Sequence, residues 1–268
     1  INITDMIPVI GAAIVNEVKW LKRQLDSVDF PVENYIIIDN SAGALNEELN
    51  DLISNTTNEF IKNLKVYHMP YNIGCGAAWN MIINSFMKSK YWVIASHDCS
   101  FGVGFLKEMY DKAQDNEVGM VHGNGGEFGL GSYDLFLIKS WVVQSHGYFD
   151  ENLYPAYGED VDYIMRLVNK PIKKVVDLKS IYYHGEGEMR NGVDNDYMKT
   201  GMNTKKHSQE LYNKLTYINE LNFEYLFKKW GPDWRTVSPY EYPFNIKGLD
   251  IRASIVDLEF CKGKHLGF

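Results

Sequence analysis

The sequence predicts an α/β fold built on a mostly parallel sheet, and three observations carry that reading. Short apolar runs rich in β-branched residues alternate with longer amphipathic stretches through the first half of the chain, the pattern of βαβ units. Three of these runs end abruptly in polar clusters, Asn16-Glu17, Asp39-Asn40 and His97-Asp98. Such clusters belong at the carboxyl ends of parallel strands, where loops gather and ligands bind. The length of 268 residues allows one large domain, or a compact domain with an extension.

Taken in order, residues 8–15 predict the first strand and residues 17–28 a helix with Val18, Leu21, Leu25 and Val28 on one face. The second strand, residues 35–38, runs into Asp39-Asn40-Ser41. A third strand covers residues 64–68 and is followed by a helix over residues 73–87, and the fourth, residues 91–95, leads straight into Ser96-His97-Asp98. Residues 117–121 and 132–138 read as further strands. Between them lies Gly123-Asn124-Gly125-Gly126-Glu127-Phe128-Gly129, a loop suited to lying flat against a substrate. Residues 180–183 are strand-like and end at His184.

Residues 185–203 are polar, glycine-bearing and without a period, which predicts a mobile connection, with residues 185–195 as a lid that orders over a bound ligand. One or two helices follow over residues 205–229, and the remainder, with Pro232, Pro239 and Pro243, is irregular and aromatic. The expected division is therefore a ligand-binding core over residues 1–184 and an extension over residues 185–268. Trp79, Trp92 and Trp141 fall in apolar patterns and are expected in the core. Trp230 lies beyond the common pattern, where docking of the extension and an acceptor platform are both open readings.

Composition narrows the partners. A formal net charge of -8 argues against nucleic acid, which needs a basic surface to displace counterions. A single nucleotide stays possible, because a metal ion, backbone amides and carboxylates hold a diphosphate without a basic patch. Cys75, Cys99 and Cys261 show neither disulfide nor zinc spacing, so a reducing cytosol is expected. No stretch has the length and apolarity of a transmembrane segment.

The most specific segment runs from Gly147-Tyr148-Phe149-Asp150-Glu151 through Tyr157-Gly158-Glu159-Asp160-Val161-Asp162 to Arg166. It resembles the GxFDE and EDxDxxxR block of inverting glycosyltransferases of the family-two, rhamnosyltransferase-like type, which have the GT-A fold. Asp39-Asn40-Ser41 looks like that family's nucleoside-binding turn. Asn72-Ile73-Gly74-Cys75-Gly76 with Asn80 looks like its NxGxxxxxN helix start. The resemblance covers residues 8–184.

It implies transfer of a sugar from a nucleotide-sugar donor, with a UDP donor favoured, to a hydroxyl on a glycan or other acceptor. Asp160 is then the expected base, with Glu159 as fallback. Asn16, Glu17, Asp39, Asn40, Gly74, Asn80 and His97 are the expected nucleotide contacts. Asp98 and His184 are the expected ligands of Mn²⁺ or Mg²⁺, although Ser96 stands where the family's DxD motif has its first acid. Glu127 and Trp230 are candidate acceptor contacts. Two other functions stay open: a noncatalytic nucleotide-sugar or carbohydrate-binding module, and, less favoured, a sugar-phosphate nucleotidyltransferase.

Overall fold

The structure, a computed structural model, describes residues 5–125, 131–185, 188–190 and 209–231. Strand β1 (Ile7–Ile14) pairs in parallel with β2 (Val32–Asp39), and β2 in parallel with β3 (Ile61–His68). On its other side β1 pairs in parallel with β4 (Tyr91–Ser96). Near-continuous Val and Ile runs in β1 and β2 are what a strand covered on both faces requires.

Helix α1 (Val18–Asp26) and helix α2 (Asn46–Asn55) join the first three strands, and α3 (Cys75–Ser85) joins β3 to β4. After β4 come a short strand β5 (Cys99–Phe101), helix α4 (Phe105–Gln114) and strand β6 (Val118–His122). Strand β7 (Leu135–Lys139) then enters the sheet against the prevailing direction, antiparallel to both β4 and β6. Helix α5 (Ser140–His146), helix α6 (Glu159–Asn169) and strand β8 (Lys174–Asp177) complete this part, giving a sheet ordered β3-β2-β1-β4-β7-β6-β8.

A second, three-stranded sheet sets β5 beside β9 (Tyr182–His184), with β10 (Glu188–Arg190) on the far side. Helix α7 (Gln209–Trp230) follows. The expected strands and the helices after the first and third strands are all present. The 205–229 stretch supplies one long helix among the described residues, and most of the expected connection at 185–203, with its lid at 185–195, lies outside them.

Alternation along the strands builds a core on each face of the sheet. One contains Ile10, Ile14 and Ile37 with Leu21 and Leu25 of α1 and Phe105, Leu106 and Met109 of α4. The other contains Val9, Ile36 and Ile38 with Trp79, Ile82 and Ile83 of α3 and Tyr163 and Leu167 of α6. Gly11 permits the second packing: a Cβ there would stand 2.5 Å from Ile82 of α3. Trp79 and Trp92 are buried, as their apolar setting predicts. A third, smaller cluster of Leu153, Met165, Tyr225, Leu226 and Trp230 docks α7 onto the body of the fold.

Candidate active site

The carboxyl end of β4 is the centre of the site. Its last residues lead into Ser96-His97-Asp98, and α1 supports that turn from behind. Gln24 donates from Nε2 to the Ser96 carbonyl at 2.7 Å, and Arg23 donates to the Asp98 carbonyl at 2.7 Å. Tyr35 in turn donates to Gln24 Oε1 at 2.6 Å, so a buried hydrogen-bond chain fixes the turn to the sheet.

Antiparallel pairing of β5 with β9 places Cys99 opposite His184, which explains how residues distant in sequence meet. His184 Nε2 lies 3.2 Å from Asp98 Oδ1, and its Nδ1 lies 3.3 Å from Asp134 Oδ2. Burial opposes ionisation of Asp98, but the charge and hydrogen bond of His184, with His97 adding to them, hold its carboxyl well below the usual carboxylate range. His97 itself is pushed down by burial, against the pull of Asp98 and Glu17.

Asp98, Cys99 and His184 each offer a donor atom within 4.8 Å of the others. Two ligands on adjacent corners of an octahedron with bonds of about 2.1 Å stand about 3 Å apart, and the Asp98 to His184 separation suits that spacing. The second imidazole nitrogen already faces a carboxylate, the arrangement that fixes a metal-binding histidine. Cys99 is fully buried and its thiol points to the Asp134 carbonyl at 3.5 Å. A hard cation prefers oxygen and imidazole, so Asp98 and His184 are the residues fit to hold it.

Asp134 is a site residue that no motif signalled. It stands just before β7, whose reversed direction carries its first residues to the carboxyl end of β4, where Ser96 donates its backbone N–H to the Asp134 carbonyl at 2.7 Å. The carboxylate accepts hydrogen bonds from Tyr182 at 2.9 Å and from Ser132 at 2.5 Å. Its charge also reaches Asp160, where it helps raise the pKa.

Asp160 and Glu159 open α6 after Gly158, whose φ of +97° takes the left-handed turn that glycine tolerates. Burial pushes Asp160 up, opposed by hydrogen bonds from the backbone of Val161, Asp160 and Gly158. Asp160 is half-buried. Glu159 is 6% exposed, and burial with the adjacent Asp160 charge pushes its carboxyl to about 8. The two acids therefore differ in setting: Glu159 faces inward toward Cys75 at the start of α3, and Asp160 keeps partial access to solvent.

The expected nucleotide contacts divide. Asn16 and Glu17 sit half-buried between β1 and α1, with Glu17 in the left-handed region at φ 57°. Asp39 is closed to solvent: Oδ1 accepts the Ser41 backbone N–H at 2.9 Å and Oδ2 lies 2.7 Å from His68 Nδ1. It shapes the turn after β2, and His68 supplies its partner. Asn40 is buried, donates to the Gly74 carbonyl at 3.3 Å, and leaves its own side-chain oxygen without a partner. Gly74, at φ +90°, lies so near Tyr154 that a Cβ would approach the ring at 2.9 Å.

Asn80 takes a different role from the expected nucleotide contact. Its amide oxygen accepts the Phe149 N–H at 2.9 Å, and its amide nitrogen donates to the Phe149 carbonyl and to Glu151, each at 2.9 Å. Both ends of the amide are committed, so Asn80 braces the Phe149-Asp150-Glu151 loop from α3. Trp230 is 5% exposed and donates its indole N–H to Asp162 at 2.9 Å. Its ring is engaged in docking α7. Glu127 lies outside the described residues.

An α/β sheet with β4 ending in a metal-fit acid, an antiparallel strand beside it and an acidic helix start facing the same end defines a GT-A glycosyltransferase fold. The sequence model for Glycosyl transferase family 2 matches residues 11–167, more than half of the chain. The chain belongs to that family.

A galactofuranosyl glycosyltransferase from Leishmania donovani is 30% identical over 105 residues, covering 38% of this chain and 24% of the relative. The chain thus spans about a quarter of the length of that relative. The crystal structure of S. aureus TarS 1-349 in complex with UDP-GlcNAc superposes with a TM-score of 0.52 at 15% identity, covering 68% of this chain and 59% of that TarS 1-349 chain. Mannosyltransferase PcManGT from Pyrobaculum calidifontis, in complex with GDP-Man and Mn²⁺, gives 0.52 at 12% identity, covering 85% of this chain and 71% of that protein. Among the described residues, no helix is long and apolar enough to cross a membrane.

Proposed function

We propose that the chain transfers a sugar from a nucleotide-diphosphate sugar to an acceptor hydroxyl, with inversion at the anomeric carbon. One observation carries the reading: Asp134 touches the His184 that pairs with Asp98, and its charge bears on Asp160, so the metal-fit pair and the acidic helix start belong to one electrostatic site.

Asp160 takes the acceptor proton as the acceptor oxygen forms its bond to the anomeric carbon. The bond from that carbon to the diphosphate oxygen breaks, and its electron pair leaves with the nucleotide. A base working near neutral pH gains from a raised pKa, and burial gives Asp160 that direction. A bound Mn²⁺ or Mg²⁺ supplies charge for the departing diphosphate. Asp98 and His184 hold that charge in place, Asp134 orients the imidazole, and the turn shaped by Asp39 with Asn16 and Glu17 receives the nucleoside.

Complexes of the neighbouring folds with UDP-GlcNAc and with GDP-Man and Mn²⁺ support a nucleotide sugar and a divalent cation here. UDP donors are the first choice, and a glycan hydroxyl is the first acceptor to try. Neither Cys75 nor Cys99 is in a disulfide, which goes with a cytosolic setting.

A thermal-shift screen of nucleoside diphosphates and nucleotide sugars, with and without Mn²⁺, tests the reading. At 100 times Kd a ligand stabilises the fold by about 2.7 kcal/mol. The expected result is a Mn²⁺-dependent rise with one nucleoside, followed by turnover of its sugar with inverted product stereochemistry by NMR. Binding without transfer or hydrolysis under any metal would instead make this a nucleotide-sugar-binding module.

A further inference from the structure

The family model ends at residue 167, yet helix α7 beyond it reaches the acidic helix start through a buried ionic cluster. Lys229 Nζ lies 2.8 Å from Asp150 Oδ2 and 2.5 Å from Asp162 Oδ1, with side-chain exposures of 4%, 3% and 0% respectively. Asp150 belongs to the loop before α6, and Asp162 to its first turn. They bracket Glu159 and Asp160 in sequence.

The rest of the cluster makes the link directional. Tyr225 donates to Asp150 Oδ2 at 2.7 Å and Trp230 donates to Asp162 Oδ1 at 2.9 Å. One turn earlier on α7, Asn222 donates to the carbonyls of Ala156 at 2.8 Å and Tyr157 at 2.9 Å. Tyr157 is a non-glycine residue at φ 76°, a conformation that persists only when its surroundings impose it. Asn222 holds that backbone two residues before Glu159. Arg166 pairs with Asp162 from within α6, so Lys229 is the cation that joins both acids across elements.

We propose that Lys229 is a positioning residue: from α7 it ties Asp150 to Asp162 and so sets the Glu159–Asp160 turn in its working geometry. The inference rests on the reading of Asp160 as the base. Of the expected nucleotide contacts, Asn16, Glu17 and Asp39 stand at the ends of β1 and β2, whereas the start of α3 touches the loop that bears Asp150, a Cβ at Gly76 standing 3.4 Å from the Asp150 carbonyl. Lys229 therefore acts chiefly on the proton-accepting half of the reaction.

The test compares the wild type with Lys229→Met, Lys229→Arg and Tyr225→Phe in the full chain. Hydrogen-exchange mass spectrometry is the readout that needs no activity. Lys229→Met is expected to speed exchange in peptides over residues 150–162 and to leave those of β1 and β2 unchanged, with Lys229→Arg restoring the slower rates. Unchanged exchange over 150–162, or a uniform rise throughout the chain, would overturn the proposal.

The kinetic arm uses UDP with Mn²⁺ for binding and the nucleotide sugar selected by thermal shift for turnover. Kd for UDP and KM for donor should hold within about twofold, while kcat falls by about 10- to 100-fold, the scale of a small misplacement of a reacting group. Equal loss of binding and turnover would overturn it. If Lys229→Met does not fold, Tyr225→Phe decides: it keeps the ring and removes the hydrogen bond to Asp150, so exchange over 150–162 must rise and kcat must fall, by less than in a cation deletion. A wild type inactive toward every donor would sink the proposed reaction and leave the exchange result to judge Lys229.

Discussion

Glu159 carries one carboxylate oxygen without a hydrogen-bond partner in a nearly closed pocket. Burial raises its pKa from an ordinary 4.5 to about 8. The folded state therefore holds a proton that the unfolded chain has released across that interval, and stability falls as pH rises from 4.5 toward 8. Glu159→Gln fixes the neutral form. Its melting temperature should exceed that of the wild type by at least about 2 °C at pH 8.5, with a smaller gap at pH 5, since each pKa unit corresponds to about 1.4 kcal/mol. An equal gap at both pH values would show that Glu159 is not the group responsible.

Asp134 makes its prediction through the imidazole it orients. Replacing such a carboxylate partner lowers metal affinity by about 10- to 100-fold, so Asp134→Asn should weaken Mn²⁺ binding in the presence of UDP by that factor in calorimetry. Unaltered affinity would separate His184 from the metal. The chain's acids at 98, 159 and 160 are legible as candidate site residues because they sit at a strand end and in a dense motif. Asp134 is not, because its place depends on the reversed direction of β7, and a single strand carries no signal of the direction in which it pairs.

At the scale of elements, the sequence shows most of the fold but not how its parts lock. Apolar period and strand-end polarity predict β1, α1, β2, β3, α3 and β4 to within a few residues. Helix α2 escapes that reading because Leu49 is its one buried residue, whereas α4 escapes it despite burying Phe105, Leu106, Met109 and Ala113. Asn80 resembles a nucleotide contact by motif, yet its amide is spent on the Phe149-Asp150-Glu151 loop, a pairing 69 residues apart in sequence. No local pattern discloses such a partner.

The packing of α3 on the sheet yields a further test. Gly11 of β1 meets Ile82 so closely that any side chain there must push α3 outward. Gly11→Val should cost about 1–3 kcal/mol, the usual penalty of overpacking, measured by urea denaturation. A cost near zero would mean that α3 has room to move. At α7 the Lys229 pairs are buried whereas Lys228 meets a Glu224 that is exposed, so Lys229→Met should loosen the docking of that helix more than Lys228→Met does, read as faster local hydrogen exchange.

Across the whole molecule, three separate stretches of chain converge at the carboxyl end of one sheet. The β4 end contributes Asp98, the β5 and β9 pairing contributes His184, and β7 brings Asp134 between them and the start of α6. His184 and His97 hold Asp98 below its ordinary value, while burial, with a smaller contribution from the Asp134 charge, holds Asp160 above its own. In the proposed reaction a low pKa would keep Asp98 ionised as a ligand, and a raised one would make Asp160 a better proton acceptor. Opposite shifts of two carboxylates in one site are the physical basis for dividing metal holding from proton transfer.

Asp160→Asn is the substitution that separates these tasks most directly, because it removes the proton acceptor at nearly constant volume. Transfer from the nucleotide sugar and UDP binding in Mn²⁺ should be measured on the same sample. Turnover reduced by about 10²- to 10⁴-fold with a Kd for UDP close to that of the wild type is the predicted result; turnover near the wild-type rate would contradict it.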